Sequence, residues 1–200
     1  MKKQKTMQMA EIALMSAVLC VMAPIAIPVP VSPVPLSPAT FVVYLTAALL
    51  GPKRGCISVL IYLLLGGIGL PVFAGFSGGV GVLAGPTGGY VIGYVPCALV
   101  AGFVMNCGGM TGVQRKSALK ERVKHSRQPV VWNGIAMSLG TLACYAFGMA
   151  WFLIIMKGTY TVVQAFLLCV MPYLLLDSIK IVAAAAIAVP VRKIRRREGM

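Results

Sequence analysis

Acidic residues are almost missing from this 200-residue chain: one aspartate, Asp177, and three glutamates stand against 18 lysines and arginines. Glu11, Glu121 and Glu198 lie at or beyond the ends of apolar stretches, so no second carboxylate is placed to work with Asp177 in acid–base hydrolysis. Histidine is nearly absent too. His125 is the single one, set in a basic segment with no adjacent Cys or acid, which gives a metal site little support. The six cysteines, Cys20, Cys56, Cys97, Cys107, Cys144 and Cys169, have no CxxC spacing and read as small apolar packing residues. Nucleotide loops are missing as well. Gly79, Gly81 and Gly85 lack the preceding strand, spacing and later acid of a dinucleotide fingerprint, and no lysine with Ser/Thr follows Gly85-Pro86-Thr87-Gly88-Gly89. With no nucleophile and base, no metal cluster and no cofactor motif, an enzyme is not expected, and transport or binding remains.

What the chain has in abundance is apolar length. It is 59% hydrophobic and 11% charged, with a mean hydropathy of +0.90, too apolar for a soluble domain. No Asp, Glu, Lys or Arg occurs from Ile12 to Pro52 or from Gly55 to Gln114. Each run is longer than the roughly 20 helical residues that cross a bilayer, so each must fold back. Pro28, Pro30, Pro33, Pro35 and Pro38 split the first run, and Pro71 with the glycines from Gly75 to Gly89 splits the second. The expected fold is an all-α membrane protein, a single integral membrane domain over 1–200 with six transmembrane helices at about 10–27, 39–50, 56–70, 90–107, 130–156 and 160–190. Pro172 is a candidate kink in the last.

The bases test that count. Lys2, Lys3 and Lys5, then Lys53 and Arg54, then the segment Arg115–Arg127, then Arg192–Arg197 all fall on one side of six spans, whereas the other side carries Lys157 alone. The positive-inside rule then places both the N and C termini in the cytoplasm, in a multi-pass membrane protein whose contacts include membrane lipid. The net charge of +14 is therefore a topology signal, and no nucleic-acid partner is expected, because aromatic interleaving is absent. A secretory signal would share the basic start and apolar core of helix one, but its removal would leave five spans and break the alternation.

Against this background the charged pair Asp177 and Lys180 stands out. Three residues apart on one helix face, the two groups can neutralise each other. Asp177 is 17 residues from the start and 13 from the end of the last predicted helix, roughly 20 to 25 Å along its axis from each and so near the membrane midplane. An ion there costs at least about 2.5 to 3.5 kcal/mol and should face the bundle interior, either as an internal salt bridge or as the anchor of a buried ligand. The outer connection from Gly69 to Gly81 carries Phe73 and Phe76 on a glycine backbone without charge, longer than a plain turn needs.

Gly69-Leu70-Pro71-Val72-Phe73-Ala74-Gly75-Phe76, then Gly85-Pro86-Thr87-Gly88-Gly89-Tyr90, then Asp177 with Lys180 in the last helix make the chain resemble the BioY family. These are the biotin-binding S components of energy-coupling factor (ECF) transporters, and the resemblance runs over nearly the whole chain. It implies an ECF S-component-like bundle that captures biotin outside and works with a membrane T component and two ABC-type ATPases, with no cofactor of its own. Biotin carries ureido N–H donors and a ureido carbonyl, apolar rings and chain, and a carboxylate. On that reading Asp177 accepts a ureido N–H and Lys180 donates to the ureido oxygen. Phe73, Phe76 and Tyr90, with Tyr44, enclose the apolar part, and Ser77, Thr87, Gly88 and Gly89 belong to the loops around the carboxylate. The reversed pose, with Lys180 on the carboxylate, stays open. The family's arginine near the carboxylate has no counterpart, since Gly55 to Gln114 contains none.

Ala10, Ala13 and Ala17 form a small-residue stripe on helix one, either for internal packing or for close approach of another helix. The resemblance implies the T subunit as that partner. A homo-oligomer is also compatible with the sequence, as are two other classes: a proton-coupled secondary transporter titrating Asp177, and a membrane scaffold that binds no small ligand.

Overall fold

The computed structural model describes residues 2–28, 34–107 and 129–197. Seven α-helices occur among them: α1 (Lys2–Met22), α2 (Ala39–Gly67), α3 (Val80–Ala84), α4 (Gly88–Cys107), α5 (Pro129–Ile155), α6 (Val162–Cys169) and α7 (Met171–Arg197). No strand is formed among the described residues, only isolated bridges between Ile27 and Leu36 and between Phe73 and Ser77. Five helices, α1, α2, α4, α5 and α7, are long and apolar enough to cross a membrane. They carry large apolar side chains outward, such as Leu14, Leu64, Phe103, Leu142 and Leu175. A chain that exposes such residues on every long helix has hydrocarbon, not water, as its solvent.

The α2 helix is not one rod. Gly51 has φ 79° and ψ −176°, well outside helical values, and Pro52 follows it at a position where its missing N–H costs nothing. A side-chain carbon at Gly55 would lie only 3.4 Å from Ala47 Cα, whereas eight residues of continuous helix would separate them by about 12 Å. The chain therefore doubles back at Gly51 into two antiparallel halves. The bend nests in α4: a carbon added at Gly102 would sit 2.7 Å from Pro52 Cα.

The structure corrects three helix limits. Helix one was expected over 10–27, but α1 starts at Lys2 and ends at Met22. Pro24 supplies no N–H and disfavours helix in the residue before it, so the stop comes one turn before Pro28. The last helix, expected as 160–190, is broken at Val170 (φ −121°) into α6 and α7. Pro172 falls in the first turn of α7, where proline is tolerated, and so begins a helix where a kink was expected; α7 then continues through Pro190 to Arg197. The glycine segment 75–89, expected as backbone loop, holds a 3-10 turn at Ala74–Phe76 and the short helix α3. Pro30, Pro33, the segment Arg115–Arg127 with Glu121 and His125, and Glu198 lie outside the described residues.

Helix α4 is central, packing mainly on α2 and α5, while α7 rests on α2 and α5 and α1 packs on α2. A serine clasp joins α1 to the second half of α2. Ser16 Oγ donates to Ile12 O (2.9 Å) and lies 3.1 Å from Ser58 Oγ. At the opposite end from the loops, Arg192 Nε donates to Ala48 O (2.8 Å) and Nη1 to Asn133 Oδ1 (3.3 Å), tying α7 to α2 and α5. Small core residues Ala184, Ala185 and Ala188 let α7 approach closely.

Candidate functional site

The break at Val170 restarts the helix register, and from there Tyr173, Asp177 and Lys180 fall on one face of α7, spaced four and three residues apart. That face meets the start of α2 and the middle of α5. Lys180 Nζ donates to Asp177 Oδ1 (2.9 Å), Ser37 O (2.8 Å) and Thr40 Oγ1 (3.1 Å), so its three hydrogens are all engaged. The Asp177 carboxylate, 4% exposed, also accepts from Tyr145 OH at Oδ2 (2.5 Å) and from Thr40 Oγ1 at Oδ1 (3.4 Å). Bonds of this kind meet the hydrogen-bonding capacity that the two side chains give up on leaving water.

Asp177 is only six residues into α7, about 9 Å along its axis, and not at the centre of one long helix as expected. Its level is that of the first turn of α2, next to the loops. Tyr173 OH donates to Val34 O, so the same helix face holds the segment before α2 at two carbonyls, Val34 and Ser37.

The pair lines a cavity whose walls come from Val34–Ser37, Thr40, Tyr90 and Tyr94 of α4, Cys144 and Tyr145 of α5, Cys169 of α6, and Tyr173. Four of the chain's seven tyrosines face this one space. Its volume is about 40 Å³, room for a few waters at about 10–15 Å³ each, so a larger ligand requires its walls to spread.

Of the ten residues expected to bind ligand, Asp177, Lys180 and Tyr90 line this cavity, and the others do not. Tyr44 is fully buried, with its hydroxyl 2.7 Å from Thr141 Oγ1. Phe73 is also buried, its ring at 5.5 Å and 80° to that of Tyr62, seated where Gly66 leaves no side chain. Phe76 is 70% exposed in the outer connection, and Ser77 Oγ donates to Ala74 O. Thr87 accepts Tyr90 N at its carbonyl, opening α4. Gly88 and Gly89 are buried because the Leu83 backbone and the Trp151 side chain occupy the space where a side chain would go. Thr40, Ser37, Tyr145, Tyr173, Tyr94, Cys144 and Cys169 are in the walls and were not expected. The tyrosines left a usable signal, since a hydroxyl at membrane depth demands a partner; Ser37, Thr40 and the cysteines left none. All six cysteines are free thiols. Ala10, Ala13 and Ala17 are exposed on the side of α1 opposite Met15, Ser16 and Leu19.

A family model described as the BioY family matches residues 1–197. The chain belongs to the BioY family. It is 36% identical over 168 residues to the biotin transporter BioY of Thermotoga maritima, covering 84% of this chain and 86% of that protein. With the probable biotin transporter BioY of Pyrococcus horikoshii it shares 35% over 162 residues, 81% of this chain and 83% of that one. In three dimensions it matches the crystal structure of the S-component for biotin from an ECF-type ABC transporter, with a TM-score of 0.82, 25% identity, and 96% and 94% of the two chains covered. Like these BioY proteins, the chain is a multi-pass membrane protein.

Proposed function

We propose that this chain is the biotin-binding membrane subunit of an ECF importer, taking biotin from outside for ATP-driven uptake with a T component and two ABC-type ATPases. The observation that carries the reading is the Asp177–Lys180 pair, buried on a cavity wall and offering acceptor and donor side by side. The ureido group presents the matching donors and acceptor. Asp177 accepts a ureido N–H and Lys180 donates to the ureido oxygen, with Ser37 O or Thr40 Oγ1 yielding its place. The BioY relatives and the biotin S-component fold support biotin as ligand.

The walls spread outward to admit the ligand. Tyr90, Tyr94 and Tyr145 flank its apolar rings, and the connections carrying Phe73, Phe76, Ser77 and Thr87–Gly89 frame the outer opening. The chain is one integral membrane domain with six spans, α2 counting as two because of the bend at Gly51. Both termini are cytoplasmic on this count, since six spans assign Lys53, Arg54, the termini and the basic segment 115–127 to one side and the positive-inside rule makes that side the cytoplasm.

Titrating purified protein with labelled biotin tests this. Wild type binds, and Asp177→Asn and Lys180→Met each weaken binding at least about tenfold, the scale of a charge-assisted bond. Unchanged affinity in both variants would sink the assigned roles.

A further inference from the structure

On the α7, α2 and α5 side of the cavity the polar groups already satisfy one another: Lys180, Asp177, Thr40 and Tyr145 form a closed set. On the α4 side the account differs. Tyr90 is 6% exposed, and its buried hydroxyl has no hydrogen-bond partner among the described residues. Its polar neighbour is the Cys169 thiol, a weak acceptor. A buried hydroxyl that has exchanged water for no better neighbour than a thiol is costly and calls for a reason.

Its place in the cavity supplies one. The Tyr90 ring packs over Gly148, one turn further along α5 than Tyr145, which bonds Asp177. Cys169 precedes the helix break, eight residues before Asp177. Both landmarks put the Tyr90 hydroxyl at the end of the cavity away from the charged pair, towards the outer connections. A ligand whose ureido end sits on Asp177 and Lys180 points its other polar end that way. The walls of α4 and α6 must part to admit it, and where Tyr90 and Cys169 face each other, parting uncovers this hydroxyl.

Resting on the biotin reading above, we propose that Tyr90 is a specificity-determining residue whose hydroxyl donates to the ligand's carboxylate. It takes the role for which the segment Gly55–Gln114 offers no arginine. A tyrosine donor is neutral, so it favours the anion through one hydrogen bond and leaves the remaining carboxylate lone pairs to water at the mouth.

The test is a two-by-two comparison: wild type and Tyr90→Phe, each titrated with biotin and with an analogue carrying a methyl group in place of the carboxylate. The Phe variant keeps the ring, and thermal unfolding without ligand checks that it is folded. The expected result is a loss of about tenfold for biotin in Tyr90→Phe with no change for the analogue, because only biotin forms the bond. An equal loss for both ligands, or no loss for biotin, overturns the carboxylate role while leaving the site reading in place. Failure of wild type to bind biotin at all overturns the site reading itself.

Discussion

The two oxygens of Asp177 are shared out, Oδ2 to Tyr145 and Oδ1 to Lys180 and Thr40. Removing a partner from one side therefore exposes the other. Lys180→Met leaves an uncompensated carboxylate in an apolar site, a change that costs about 3–5 kcal/mol for fully buried pairs and less here, because the Lys180 side chain is 18% exposed. Tyr145→Phe withdraws one neutral donor and costs about 1–3 kcal/mol. The double variant Asp177→Asn, Lys180→Met removes both charges and should unfold at a higher temperature than Lys180→Met alone. Thermal unfolding in detergent gives the order: wild type, Tyr145→Phe, then the double variant, then Lys180→Met lowest. A double variant less stable than the lysine single would show that the pair is not the unit. Asp177 and Lys180 were legible in the sequence because a charge within an apolar run has few physical excuses. Thr40 and Tyr145 were not, since their partners lie 137 and 32 residues away along the chain, and nothing local marks a hydroxyl as belonging to a carboxylate.

At the scale of elements, glycine decides how closely helices approach. Helix propensity alone predicts that Gly102→Ala in α4 and Gly134→Ala in α5 both stabilise, by about 0.5–1 kcal/mol. The surroundings reverse one of these. A methyl at Gly102 would lie 2.7 Å from the backbone of Pro52, whereas at Gly134 the nearest atom is a methyl of Ile181 at 4.0 Å. Overlap with backbone cannot be relieved by a rotamer change, so Gly102→Ala should destabilise by about 1–3 kcal/mol and lower the unfolding temperature, while Gly134→Ala leaves it unchanged or raised. Equal behaviour of the two would show that the bend at Gly51 does not lean on α4. The bend itself was readable from Gly51-Pro52-Lys53-Arg54, because glycine and proline act on the backbone locally. The division of α6 from α7 was harder. Proline supports both a kink and a helix start, and the choice depended on Val170 leaving helical geometry, which no residue type announces.

At the scale of the whole molecule, α1 is the least buried of the five long helices. It packs on α2 and is held there by the Ser16–Ser58 clasp and by Glu11, whose Oε2 lies 3.6 Å from Arg54 Nη1. With its polar and larger core residues turned inward, Ala10, Ala13 and Ala17 are left on the outer face, beside Met9 and Leu14. A lipid-facing helix has no need of small residues, because acyl chains fill around large ones equally well; another helix does, because association in lipid depends on close packing. The alanine face is thus suited to another helix, which on the function proposed above is one of the T component, and the cavity is built from α2, α4, α5, α6 and α7 without α1. The two tasks are therefore separable. Ala13→Trp or Ala17→Trp should abolish co-purification with a tagged T component and stop ATP-dependent uptake in reconstituted vesicles, while the affinity of the isolated subunit for biotin stays within about twofold of wild type. A variant that loses biotin binding but still assembles would place α1 in the site and refute this division of the molecule.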